Sequence, residues 1–169
     1  KGLLNAAIND PNPVLFFEHK ALYRSTKQQV PVSYYTTPIG KASKISSGND
    51  MTIITYGLSV HWALEILNNN KHIDADLIDL RTLSPLDFQT IVSSVSKTNK
   101  VIICHEDTLN NSIASDISAH LTEYYFDHLD APIMRIGSMN TPIPFNSNLE
   151  KQYLSKNEFE TAILKLHRY

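Results

Sequence analysis

The sequence has a single cysteine, Cys104, among 169 residues, so no internal disulfide can form and the composition suits a reducing compartment. It has no apolar run near the roughly 18 residues that a bilayer-spanning helix needs. It has no cluster of one charge: 15 basic residues are scattered among 17 acidic ones, for a net charge of −2. That balance gives no electrostatic reason to expect nucleic acid or an anionic membrane as partner. Glycine is scarce, five in all and none clustered. The first regular strand exits through Tyr56-Gly57-Leu58-Ser59, without the glycines that let a pyrophosphate approach a helix N-terminus, so dinucleotide binding is not expected. Histidine is plentiful, at seven, but no His-Glu-x-x-His occurs and the cysteine has no near partner. A transition-metal site is therefore not expected.

What is present reads as alternating strands and helices. Leu3, Leu4, Ala7 and Ile8 form one apolar helical face, and Asn9-Asp10-Pro11-Asn12-Pro13 ends that helix. With no signal or transit pattern and no initiator methionine, the opening resembles the middle of a helix, and we expect a piece of a longer chain. Val14-Leu15-Phe16-Phe17 reads as a short, fully buried strand. Residues 25–39, with Pro31 and Pro38, form an irregular stretch, long for a loop inside one domain and suited to a crossing between two.

From Gly40 the pattern becomes regular. Strands are expected at 41–46 (an edge), 51–55, 75–80, 101–104 and 133–136. Helices are expected from Ser59 as cap, from Ser84-Pro85, from about Ser112, and from the capping box Ser155-Lys156-Asn157-Glu158. Each carries an i, i+3, i+4, i+7 apolar stripe or close to it, such as Phe88, Ile91, Val92 and Val95. Such alternation predicts an α/β fold: a three-layer α/β/α domain with a mostly parallel sheet of about five strands.

The chemically richest stretch is residues 101–107, where four buried-strand residues run into His105, Glu106 and Asp107. These could act as acid–base groups, but no serine or cysteine nucleophile stands beside them in the sequence, and Cys104 reads as a small buried hydrophobe. The favoured alternative is that the carboxylates bond nearby backbone amides or meet a cation on an adjoining domain. Glu18-His19-Lys20 and Tyr23-Arg24 leave a strand in the same charged fashion. They read as a salt-bridged domain junction or as support for a site built elsewhere.

Asp10-Pro11-Asn12-Pro13-Val14-Leu15-Phe16-Phe17-Glu18-His19-Lys20-Ala21-Leu22-Tyr23-Arg24 resembles a characteristic segment of 2-oxo acid dehydrogenase E1 β subunits, the branched-chain (2-oxoisovalerate) type more than the pyruvate type. The stretches Asp79-Leu80-Arg81-Thr82-Leu83-Ser84-Pro85-Leu86-Asp87, His105-Glu106 through Ser118, Asp130-Ala131-Pro132-Ile133-Met134-Arg135 and Thr141-Pro142-Ile143-Pro144 resemble the same family. The resemblance covers essentially the whole chain. It implies that residues 1–25 are the tail of the thiamine-pyrimidine-binding domain, 26–39 an interdomain connection, and 40–169 a transketolase C-terminal domain.

In that family thiamine diphosphate, with magnesium, carries out oxidative decarboxylation, and the acyl unit passes to a lipoyl group on E2. The resemblance places the catalytic and cofactor-binding residues upstream of Lys1, so none is expected in this segment, which would be inactive alone. It implies a structural potassium half-site at Ala7, Asp10 and Asn12, and a domain junction at Glu18, Arg24, His105 and Glu106. Implied partners are an E1 α subunit or fused α region, a second β copy and lipoyl-bearing E2. The compartment would be the cytoplasm of a bacterium or the mitochondrial matrix of a eukaryote. Two alternatives stand beside this: a pyruvate-type E1 or another transketolase-like enzyme, and a purely non-catalytic interaction module. One departure is Asn110-Asn111, where relatives often carry glycine.

Overall fold

The computed structural model describes residues 1–169. Five strands form one sheet in the order β1-β3-β2-β4-β5. Strands β2 (Met51–Thr55), β3 (Ala75–Asp79), β4 (Val101–Thr108) and β5 (Met134–Ser138) are parallel, and β1 (Ser43–Ser46) runs antiparallel to β3 at one edge. The expected α/β class and strand number are the ones observed.

Side chains alternate across the strands, so a continuously apolar strand must be covered on both faces. Ile53, Leu77, Ile102 and Cys104 pack under α3 (Leu58–Asn69) and α7 (Lys156–His167), against Trp62, Ala63, Ile66, Phe159, Ile163 and Leu166. Their neighbours Ile54, Ile78, Val101 and Ile103 pack under α4 (Phe88–Thr98) and α5 (Ile113–Tyr124), against Ile91, Val95, Ala114, Ile117 and Leu121. Phe159, Ile163 and Leu166 are fully buried, each worth about 1.5–3 kcal/mol of burial. The last helix is thus integral to the core. No helix is long and apolar enough to cross a membrane.

Several boundaries differ from those expected. Residues 14–17 form no strand: Leu15 and Phe17 are 85% and 88% exposed, because no other strand of the chain lies alongside to complete a ladder. Helix α4 begins at Phe88 rather than Pro85; Asp87 supplies the cap, its carboxylate accepting from the Thr90 amide at 3.2 Å. Gly57, not Ser59, occupies the cap position of α3, and Ser59 is buried in the first turn. Ser155 precedes α7 as expected, but its hydroxyl makes no capping bond. Strand β4 extends to Thr108, and the expected loop after β5 contains α6 (Ser147–Tyr153). The first helix, α1 (Gly2–Asn9), is present, followed by a short α2 (Leu22–Ser25) and no regular element across 26–42.

One buried charge ties the layers together. Asp76, fully enclosed in β3, accepts from Lys44 and Lys97 at 2.7 Å each, from the Gly48 amide at 2.9 Å and from the Ser94 hydroxyl at 2.5 Å. Burial would raise its pKa, but these four donors outweigh it and hold the carboxyl well below the usual range. Ser94 and Thr98 in turn meet Thr52 of β2 at 2.7 Å. Because the folded pKa is depressed, the contribution is present above the ordinary carboxylate value near 4 and is lost as pH falls below it. Asp76→Asn should cost about 2–3 kcal/mol at neutral pH, at the low side of a broken buried pair because both lysines can turn to water. Urea unfolding of the two proteins should show this difference shrinking below about pH 4.

Candidate functional site

In an open α/β sheet the crevice for ligands and interfaces lies at the carboxyl ends of the strands, where successive connections leave on opposite faces. Here that place is between β2 and β4, since α3 covers one face and α5 the other. Gly57 makes the exit from β2 at φ 62°, a conformation that favours glycine. Tyr56 stands before it, stacked on the His105 ring with centroids 6.3 Å apart. Burial, then the charges of Asp107 and Glu106, raise the Tyr56 phenol above its usual pKa.

His105 is fully buried and its bonds stay inside the domain. It was expected to face a neighbouring domain, but its Nε2 meets Ser112 Oγ at 3.0 Å and its Nδ1 meets the Asp107 carbonyl at 3.1 Å. A carbonyl only accepts, so the proton is assigned to Nδ1, and Nε2 shares the Ser112 hydroxyl proton with the Leu109 carbonyl, 3.2 Å from that oxygen. Burial lowers the His105 pKa, against a smaller opposing effect of the Asp107 carbonyl, and favours the neutral ring. A serine–histidine pair invites a nucleophile reading, but Ser112 is itself 4% exposed and no carboxylate orients the ring. The pair fixes the path from β4 into α5. Asn111, beside it, adopts φ 53°, which asparagine tolerates better than most residues and which accounts for the glycine-like demand at this spot.

Glu106 points the other way. Its carboxylate meets His19 Nε2 at 3.0 Å, joining the end of β4 to a residue 87 positions earlier. Glu18 accepts from the Tyr23 hydroxyl at 2.5 Å, while Arg24 is exposed and makes no ion pair within the chain. Thus the structure brings Glu106 and His19 together and leaves Glu18, Arg24 and His105 apart from that contact. Reading along the sequence could not pair His19 with Glu106. It also passed over Gly137, where a Cβ would lie 2.9 Å from the Asp107 carbonyl and 2.9 Å from His105 Cε1. A glycine inside a strand is the sign of such a close approach, and here the β4–β5 register shifts between Cys104 and Thr108. Cys104 is a buried core residue as expected, its thiol pushed up to about 12 by burial.

The residues present do not fit a diphosphate with its metal. The crevice carries the carboxylates of Glu106 and Asp107, which would repel phosphate oxygens, and no group of three or more His, Cys, Asp or Glu side chains converges. At the end of α1, Asp10 Oδ1 already accepts from the Asn12 backbone amide at 2.9 Å and its side-chain amide at 3.0 Å. Ala7 stands in the last turn of the helix and offers only a backbone oxygen.

Residues 40–158 match the transketolase C-terminal domain, and the chain belongs to that family. Its likeness to E1 β subunits is equally direct. Over the whole chain it is 43% identical to the 2-oxoisovalerate dehydrogenase subunit beta of Bacillus subtilis (strain 168), covering 53% of that protein. Over 91% of the chain it is 48% identical to the acetoin:2,6-dichlorophenolindophenol oxidoreductase subunit beta of the same organism, covering 45% of it. The likeness is therefore not exclusive to the branched-chain type. A solved structure described as a split gene transketolase, inactive beta4 tetramer, aligns with TM-score 0.67 over 83% of this chain and 46% of that one. At 23% identity it shows the fold alone. The chain spans about half the length of the curated relatives it matches.

Two measurements check the site. Glu106→Ala should raise hydrogen exchange around His19 while changing stability by no more than about 1 kcal/mol, as for a partly exposed hydrogen bond. Because the folded pKa of His105 is depressed, stability should fall as pH drops below about 6.5, where the unfolded ring takes up a proton first. His105→Gln should remove that part of the slope in a pH series of urea midpoints.

Proposed function

We propose that this chain is the C-terminal part of the E1 β component of a 2-oxo acid dehydrogenase complex, of the branched-chain type, acting on 2-oxoisovalerate. The observation that carries this reading is the 43% identity running the whole length of the chain, across both the family domain and the preceding residues 1–39. In this reading the parent enzyme decarboxylates the 2-oxo acid with thiamine diphosphate and magnesium, bound by upstream residues and an α subunit or fused α region, and passes the acyl unit to lipoyl-bearing E2. This segment serves assembly and E2 docking and has no activity alone. Residues 1–25 belong to the pyrimidine-binding domain, 26–39 connect, and 40–169 form the C-terminal domain. The exposed apolar run at 14–17 supports this, since Leu15 and Phe17 have nothing to cover them within the chain.

The His19–Glu106 bond fits a junction between the two parts, and Glu18 and Arg24 are exposed beside it in the chain. Ala7, Asp10 and Asn12 would give a potassium ion half of its oxygens, after Asn12 turns its amide oxygen outward and with the rest supplied upstream. The compartment follows the host: cytoplasm in a bacterium, mitochondrial matrix in a eukaryote. The relative named for acetoin oxidation favours a second reading within the same class, in which the substrate differs and the assembly is the same.

Reconstitution tests the proposal. Combined with the upstream half of a β-type subunit and its α partner, the chain should restore thiamine diphosphate-dependent release of carbon dioxide from 2-oxoisovalerate. With cofactor alone it should release none. Turnover by the chain alone, failure to associate with the upstream half, or tight and specific potassium binding to the chain alone would each overturn the corresponding part.

A further inference from the structure

The opposite end of the sheet, where the chain enters the strands, gathers three side chains that the crevice does not use. Asp50 stands immediately before β2, His72 lies shortly before β3, and His167 is the last residue of α7. They come from distant parts of the chain, so no spacing along the sequence announces them. His167 Nδ1 is shielded from solvent yet makes no hydrogen bond. It faces the Asp50 carboxylate, with 3.4 Å between Nδ1 and Oδ2. That is long for a charge-assisted hydrogen bond, which closes to about 2.7–2.9 Å. The His72 ring stands edge-on to the His167 ring, their centroids 5.4 Å apart and their planes at 69°.

Both spacings are those of ligands that share one metal ion. Two donors at the usual bond lengths from a tetrahedral zinc ion lie about 3.4 Å from each other, and two imidazoles bound to it have ring centres about 5 Å apart. Asp50 is already oriented, because its Oδ2 accepts from the Asp74 amide at 2.8 Å. An outer hydrogen bond of this kind is how ligand carboxylates are commonly held. His167 ends a helix of 12 residues, where the macrodipole favours a cation. As the chain stands, no three such groups converge on one point. Asp50 and His167 are in place, and the exposed His72 is the one that must turn its ring. Exposed side chains change rotamer within nanoseconds.

We infer that Asp50, His72 and His167 bind a divalent transition-metal ion of the zinc class, clasping the last turn of α7 to the segments that enter β2 and β3. Two imidazoles and a carboxylate select zinc, nickel or cobalt over magnesium and calcium, which prefer oxygen ligands alone. Three protein ligands leave the fourth position to water, which reaches the site from the exposed side of His72. Helix α7 supplies Phe159, Ile163 and Leu166 to the core, so pinning its last turn opposes unfolding of the domain. The clasp lies at the far end of the strands from the crevice and is independent of the E1 β reading.

Thermal melts of the untagged chain with zinc chloride test the site. Zinc at about a hundredfold its dissociation constant should raise the melting temperature by roughly 5–10 °C, and magnesium should not. His72→Ala, a surface change, should abolish the shift, and so should His167→Ala. His72→Cys should keep it, since a thiolate serves zinc as an imidazole does. His128→Ala, on another segment, should leave it unchanged. Cobalt(II) in place of zinc should give the visible absorption of a four-coordinate ion in the wild-type chain and lose it in His72→Ala. A melting temperature that zinc does not move leaves only an ion pair between His167 and Asp50 and overturns the inference. A shift that survives either histidine-to-alanine change places the ion elsewhere and overturns it too, and an equal shift with magnesium overturns the metal class.

Discussion

Strand β2 is buried along all five of its residues and is laddered to β3 on one side and β4 on the other. Burial on both faces and both edges leaves it no route to water, so the neighbouring strands and the helices that flank the sheet are placed by the need to cover it. The consequence is a sheet whose alternate side chains serve two separate cores, and four helices that each supply a single apolar stripe. Within the sheet the buried charge is Asp76, made tolerable by four donors drawn from a loop, an edge strand and α4.

The same constraint decides what the carboxyl edge can do. Because β4 must follow β2 through the core, its chemically loaded end emerges beside the exit of β2, and His105 is drawn inward as a neutral ring bonded to Ser112. Glu106, one residue on, faces outward to His19. Adjacent residues of one strand therefore have opposite roles: one closes the fold and the other binds the segment that precedes it. Polar groups gathered at a strand end imply a place where contacts are made, and here the contacts found are structural.

The polar residues and the exposed apolar ones lie in different parts of the molecule. Leu15 and Phe17 are open on the N-terminal segment, while Ile143 and Phe145 are open on the loop after β5. A domain that leaves such large side chains uncovered is shaped for neighbours. This agrees with a chain that spans half of its relatives.

Much of this was legible in order along the chain. The parallel strands and the helices of the C-terminal region follow from local apolar periodicity, which needs no knowledge of distant partners. The burial of Cys104 and the family resemblance were equally readable. Helix starts were less so: Asp87 displaced Ser84 and Pro85 as the start of α4, and Gly57 displaced Ser59, because several residues that suit a cap stood close together and the strand exit chose among them. The run at 14–17 has the composition of a strand but not the partner, and composition cannot supply one. The pairing of His19 with Glu106, the inward turn of His105 and the need for glycine at 137 depend on segments far apart in sequence meeting in space. The sequence by itself determined the layers, through periodicity. Only the tertiary structure decided which polar groups face inward, which meet each other and which edge stays open, because those are set by the packing of the sheet rather than by any one stretch of it.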